Sequence, residues 1–145
     1  MRVTTHSEAE TERLAGRTAA LLQRGDIVRL TGGIGSGKTV FARGIARALG
    51  ITEPVVSPSF VLQAVYDGRL TLHHFDFYRL TSEAQARELA VEEFADEGLV
   101  LVEWADRFPD AIRPPHLTVA FALGEADDSR HLTLGWEGAE RELPA

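Results

Sequence analysis

The sequence predicts an α/β fold, a mostly parallel sheet between helical layers with antiparallel hairpin additions. Three observations lead there. A short apolar run, Ile27–Thr31, passes directly into a glycine-rich loop and then into a helical pattern. The run Leu99–Trp104 stays apolar until it meets Glu103, as in a strand buried on both faces. Two further runs, Phe60–Tyr66 and Leu70–Asp76, flank Asp67-Gly68, a strong hairpin signal. At 145 residues the chain fits one domain, 1–145, large enough for a real core.

The elements follow in order. Ser7 and Glu10 have capping-box spacing and open a helix to about Arg24, with Leu14, Thr18, Leu21 and Leu22 on one side. Gly25-Asp26 stops it, and Ile27–Thr31 is a buried strand. From Lys38 a second helix places Phe41, Gly44, Ile45, Ala48 and Leu49 on one face, and Gly50 ends it. "SPS" is irregular, because Pro58 biases Ser57 away from helix. The strand ending at Asp76 alternates and carries His73 and His74, so it reads as half exposed. Thr81 or Ser82 caps a short helix to about Ala90, and "VEEFADEG" adds a turn. "PDAIRPP" is a loop, and "HLTVAFAL" and "RHLTLGW" form an antiparallel pair around an acidic turn.

Composition excludes several classes. No apolar run approaches the roughly 20 residues that span a bilayer. The first twelve residues lack the apolar stretch of a secretory signal. There is no cysteine, hence no disulfide or thiolate metal site. A cytoplasmic location is expected. The net charge of −7 repels polyanions, so dominant direct nucleic-acid binding is not expected.

"GGIGSGKT", Gly32 to Thr39, matches G-x-x-x-x-G-K-[ST], the phosphate-binding P-loop, without a mismatch. Glycines let backbone N–H groups converge on phosphate oxygens where a side chain would collide. The helix that follows presents its positive end to the same anion. Gly33, Ile34, Gly35, Ser36, Gly37, Lys38, Thr39 and Val40 are the expected nucleotide contacts. Lys38 supplies a point charge to the β and γ phosphates, and Thr39 a hydroxyl to Mg²⁺. Lys38 is the only lysine among 15 Lys plus Arg. A compact ammonium and a planar guanidinium are not interchangeable at such a site. Lys38 is expected at a solvent-accessible anion site. The whole is a three-layer P-loop NTPase-like pattern binding ATP with Mg²⁺.

Two carboxylates could finish the site. Glu103 ends an apolar run and is favoured for the metal shell, with Thr39. Asp76 is read as a water-positioning residue or a further Mg²⁺ ligand, against a surface acid or a pair with Arg79. Lys38, Asp76 and Glu103 are therefore the expected catalytic residues. His73 and His74 face opposite sides of a strand and cannot share a metal, so at least one is structural or at the surface. Trp104 is read as packing beside Glu103. Arg79 and Arg130 could reach phosphate as finger-type cations, with a solvated role the default.

"GSGKTVFARGIARALG", "SPSF", "HFDFYRL" and "LVEWADR", in this order, resemble the TsaE (YjeE) family over roughly Glu10–Arg107. That family contributes an ATPase to tRNA threonylcarbamoyladenosine synthesis. The resemblance implies TsaB-like and TsaD-like partners, with tRNA met only through them. It implies Thr39 and Glu103 as Mg²⁺ ligands, Asp76 in hydrolysis, and Ser57–Phe60, Ser57 and Ser59 included, as a switch-like loop near the γ-phosphate. It places Tyr78-Arg79 near the partner-facing side, and Arg130 at the nucleotide. Ser59 stands where the family commonly has threonine; the hydroxyl survives and a methyl is lost. The alternatives are a small-molecule kinase, with Arg107 and Arg113 in a short lid, or a nucleotide-dependent interaction module that does not hydrolyse.

Overall fold

The computed structural model describes residues 1–144. Its strands are β1 (Arg2–Thr5), β2 (Ile27–Thr31), β3 (Gln63–Tyr66), β4 (Leu72–Asp76), β5 (Leu99–Glu103), β6 (His116–Leu123) and β7 (Arg130–Glu137). The helices are α1 (Glu8–Ala19), α2 (Lys38–Ala48), α3 (Glu83–Glu88) and α4 (Val91–Phe94), with short 3₁₀ turns at Ala95–Glu97 and Ala105–Arg107. The strands form one sheet in the order β1-β7-β6-β2-β5-β4-β3. Its centre, β6-β2-β5-β4, is parallel, and antiparallel pairs extend both edges. The mixed, mostly parallel α/β class read from the sequence is the one observed.

Strand periodicity sorts the core into two layers. Val28, Leu30, Leu72, Leu99 and Leu101 cluster with Leu14, Phe41, Ile45 and Leu49 from α1 and α2. Ile27, Phe75, Val100 and Val102 cluster on the other face with Ala86 and Val91 from α3 and α4. The same phase puts Glu103, two residues after Leu101, on the α2 face. His74 and Asp76, two and four after Leu72, share that face.

Helix α1 starts as expected: Ser7 accepts from the Glu10 N–H at 3.1 Å. The Glu10 carboxylate reaches back to the N–H of His6. It ends at Ala19 rather than Arg24, because Leu21 and Leu22 turn tightly onto the Thr18 and Ala19 carbonyls. Leu22 stays buried nonetheless.

The hairpin forms, but not as a two-residue turn. Gln63 opposes Phe75 and Tyr66 opposes Leu72, so residues 67–71 make the connection. A Cβ at Gly68 would lie 2.6 Å from the Leu49 carbonyl oxygen, so close approach to α2, not turn geometry, requires glycine there. The first strand begins at Gln63 instead of Phe60, since the 57–62 segment curls aside and Leu62 adopts φ 69°.

Strand β4 is buried end to end, correcting the half-exposed reading. It lies between β3 and β5, with His73 against Phe94 at 5.1 Å between ring centroids. β1, absent from the sequence reading, pairs with β7 from Arg2↔Thr133 to Thr5↔Arg130. Among the described residues no helix is long and apolar enough to cross a membrane.

Candidate functional site: a glycine loop beside two strand-end carboxylates

The loop between β2 and α2 closes tightly against β6. Gly32 has φ 136°, and a Cβ there would lie 2.6 Å from the Phe121 carbonyl oxygen. Gly37 caps α2 at φ 107°, a conformation that favours glycine, and makes no side-chain cap. The first-turn N–H groups of α2 therefore remain available to an anion.

A cavity of about 520 Å³ opens over this turn. It is lined by Ile34, Gly35, Ser36, Gly37, Lys38, Thr39 and Val40 from the loop and helix, and by Ser57, Ser59, Asp76, Glu103 and Arg130. Of the loop residues Gly33–Val40 expected to contact nucleotide, Gly33 alone is not in the lining; its carbonyl accepts from Lys38 at 2.7 Å.

Lys38 lines this open cavity, although the residue itself is only 5% exposed. Its Nζ donates to the Gly32 carbonyl at 2.6 Å and lies 3.4 Å from Ser36 Oγ. It also lies 4.0 Å from the centroid of the Trp104 ring. Burial lowers its affinity for a proton below that of an ordinary lysine, while the Glu103, Asp106 and Asp76 carboxylates act to restore it.

Asp76 and Glu103 are register partners at the carboxyl ends of adjacent parallel strands. Glu103 Oε1 accepts from Thr39 Oγ1 at 3.1 Å, and Oε2 lies 2.7 Å from His74 Nε2. Asp76 Oδ1 accepts the Tyr78 N–H at 2.7 Å. Asp76 Oδ2 accepts from Ser57 Oγ, and from Ser59 Oγ at 3.3 Å. Asp76 is 1% exposed, so it is neither a surface acid nor the partner of Arg79. The Arg79 guanidinium instead stacks 3.8 Å from the centroid of the Phe60 ring and does not line the cavity. Arg130 does, reaching from β7 to the Gly35 carbonyl at 3.1 Å. Arg107 bonds the Leu80 carbonyl, and neither it nor Arg113 lines the cavity.

Trp104 follows Glu103 with φ 59°, a left-handed conformation that costs a non-glycine residue about 1–3 kcal/mol. The turn swings its ring against Tyr78, 4.8 Å between centroids, and over Lys38. Trp104 thus walls the cavity as well as packing beside it.

Sequence reasoning missed Ser7, Glu8, Thr11 and Asp128, which also line the cavity. Ser7 was legible only as a helix cap; nothing in the pattern shows that β1 carries the start of α1 to the glycine loop. His74 was legible in principle, because it lies two residues before Asp76 on one strand and so shares its face.

The Thr39 hydroxyl and Glu103 carboxylate form a hard, all-oxygen pair that fits Mg²⁺. No group of three or more His, Cys, Asp or Glu among the described residues could hold a metal ion. A pair completed by water and phosphate oxygens is how Mg²⁺ is ordinarily held.

Fold and site together define a mixed α/β protein with a glycine-rich loop-to-helix turn beside paired acidic strand ends. The chain belongs to the TsaE family: the family model described as threonylcarbamoyl adenosine biosynthesis protein TsaE matches residues 5–132. It is 38% identical over 136 residues to the tRNA threonylcarbamoyladenosine biosynthesis protein TsaE of Treponema pallidum (strain Nichols), covering 92% of this chain and 99% of the relative. The protein of the same name from Bacillus subtilis (strain 168) is 37% identical over 141 residues, covering 96% and 87%. Among solved structures, Bacillus subtilis YdiB superposes with a TM-score of 0.76 at 34% identity, covering 92% of this chain and 83% of that one.

Proposed function

We propose that the chain is a Mg²⁺-dependent ATPase with a P-loop fold, a cytoplasmic subunit of tRNA threonylcarbamoyladenosine biosynthesis. It works with TsaB-like and TsaD-like proteins and meets tRNA only through them. The observation that carries this reading is the convergence of Lys38, Thr39 and Glu103 around one cavity at the start of α2. Family membership supplies the pathway.

In this reading the N–H groups of residues 33–40 cradle the phosphates and Lys38 leaves its loop carbonyls to bind the β and γ oxygens. Thr39 and Glu103 hold Mg²⁺, which supplies neutralisation of charge on the transferred phosphoryl group. Asp76 orders Ser57 and Ser59 at the cavity wall, and exchanging one of these hydroxyls for water makes it the water-positioning group. Arg130 steadies the loop at Gly35 and lies within the same cavity.

The test is Mg²⁺-ATP hydrolysis by the purified chain, alone and with the TsaB-like and TsaD-like proteins of the same organism. Stimulation by those partners, abolished by Lys38→Ala in a protein that still folds, is the expected result. Phosphate passing to a metabolite acceptor without stimulation would make the chain a kinase. Tight ATP binding without turnover in the assembly would make it an interaction module.

A further inference from the structure

Glu103 has a second partner that the proposed chemistry does not use. His74 lies in the middle of β4, wholly buried, between Ala64 of β3 and Leu101 of β5 in register. Its Nε2 is 2.7 Å from Glu103 Oε2, and its Nδ1 is buried without a hydrogen-bond partner. A carboxylate can only accept, so Nε2 carries the proton of this bond. The bond to Glu103 offsets part of the cost of burying this polar ring.

We infer that His74 is a positioning residue for the metal ligand. Its Nε2–H clamps one oxygen of Glu103 and so aims the other at Thr39 Oγ1, 3.1 Å away. The inference rests on the proposed function, since it concerns the same Mg²⁺ site. The neighbouring His73 is the internal contrast. It is also buried, faces the opposite layer against Phe94, and has neither ring nitrogen partnered. His73 packs; His74 packs and holds a carboxylate.

The experiment compares His74→Gln, whose amide nitrogen can reach the Nε2 position, with the shorter His74→Asn, and uses His73→Gln as a packing control. ATP affinity is measured with Mg²⁺ and in chelator, together with the Mg²⁺ concentration that half-saturates hydrolysis. His74→Asn is expected to raise that concentration about tenfold, the low end of what loss of a group behind a metal ligand does. It leaves affinity in chelator within about twofold of wild type, and His74→Gln recovers most of the shift. His73→Gln lowers the melting temperature without moving the Mg²⁺ requirement. Imidazole ¹⁵N shifts of the metal-free protein read the contact independently of turnover, and are expected to show His74 protonated at Nε2.

An unchanged Mg²⁺ requirement in His74→Asn overturns the inference and leaves the ATPase reading standing. So does an equal shift in both amide variants, or a ring protonated at Nδ1 alone. A wild-type chain with no Mg²⁺-dependent nucleotide binding overturns the ATPase reading, and the inference with it.

Discussion

Lys38 Nζ rests 4.0 Å from the centroid of the Trp104 ring while donating to the carbonyls of Gly32 and Gly33. The lysine therefore satisfies itself within its own loop and wall. A phosphate can engage it only by drawing it off those carbonyls, which removes the cation from the indole. The contact is worth about 0.5–2 kcal/mol, small against a charge-assisted phosphate bond, so the ligand wins. Tryptophan emission is expected to change on nucleotide addition. The second tryptophan, Trp136, lies under Arg141 at 4.3 Å. Trp136→Phe should keep the response and Trp104→Phe should lose it; the opposite pattern would place the moving charge elsewhere.

Asp76 is held by three donors, two of them on the segment that carries Val56, Phe60 and Val61 into solvent. Phe60 is 82% exposed. Removing the carboxylate frees the segment, so Asp76→Ala is expected to speed chymotrypsin cleavage at Phe60. The three donors are only partly buried and can turn to water, so the accompanying loss of stability is about 0.5–1.5 kcal/mol, the net worth of a typical hydrogen bond. Asp76→Asn keeps an acceptor for the Tyr78 N–H and should be cut more slowly than the alanine variant. Equal cleavage of wild type and Asp76→Ala would mean the hydroxyl bonds do not restrain the segment.

The site was legible where chemistry is written locally. Gly32–Thr39 announces its loop because each residue type answers a constraint within eight positions. Glu103 is legible because an acid after four apolar residues demands a partner, and Thr39 is that partner. What was not legible depends on neighbours distant in sequence. β4 alternates like a half-exposed strand, yet β3 and Phe94 cover it, so His73 and His74 are both interior. β1 has four residues and no pattern of its own; it exists because β7 offers it a ladder. Lys38 reads as the cation of an accessible site; that Trp104 packs against it follows from a backbone turn that no propensity predicts.

Gly44 illustrates a helix glycine required by packing. A Cβ there would lie 2.6 Å from Ala15 Cβ and 2.7 Å from the Glu12 carbonyl oxygen, both on α1. Alanine is favoured by about 1 kcal/mol in a helix interior, but overpacking costs about 1–3 kcal/mol and here the obstacle is partly backbone. The clash is expected to win, so Gly44→Ala lowers the melting temperature. Gly16, on α1, supplies the contrast, because a Cβ added there would meet nothing within 4 Å. Gly16→Ala is expected to raise it, by about 0.5–1 kcal/mol of stability. Thermal unfolding of the two variants reads both signs, and a stabilised Gly44→Ala would show that α1 yields.

Two buried histidines make stability fall in mild acid. Burial is the main cause that holds both His73 and His116 below the ordinary value of 6.5. Arg29, with Nη1 3.4 Å from His116 Nε2, pushes His116 the same way, while Glu137 and Glu92 oppose it. Glu97 opposes the effect at His73. The native chain thus keeps both rings neutral at pH values where the unfolded chain takes up protons. Their contribution is complete above about pH 6.5 and is lost as pH falls from there toward the native values, by at most about 1.4 kcal/mol per pH unit for each ring. Urea unfolding between pH 8 and pH 5 should show that slope. A protein carrying His73→Gln and His116→Gln should be less stable at pH 8, where the packing is lost, yet flatter between pH 6.5 and pH 5. The slope and the intercept separate the two effects: a double variant that keeps the wild-type slope would assign the acid sensitivity to other groups, whatever its stability at pH 8.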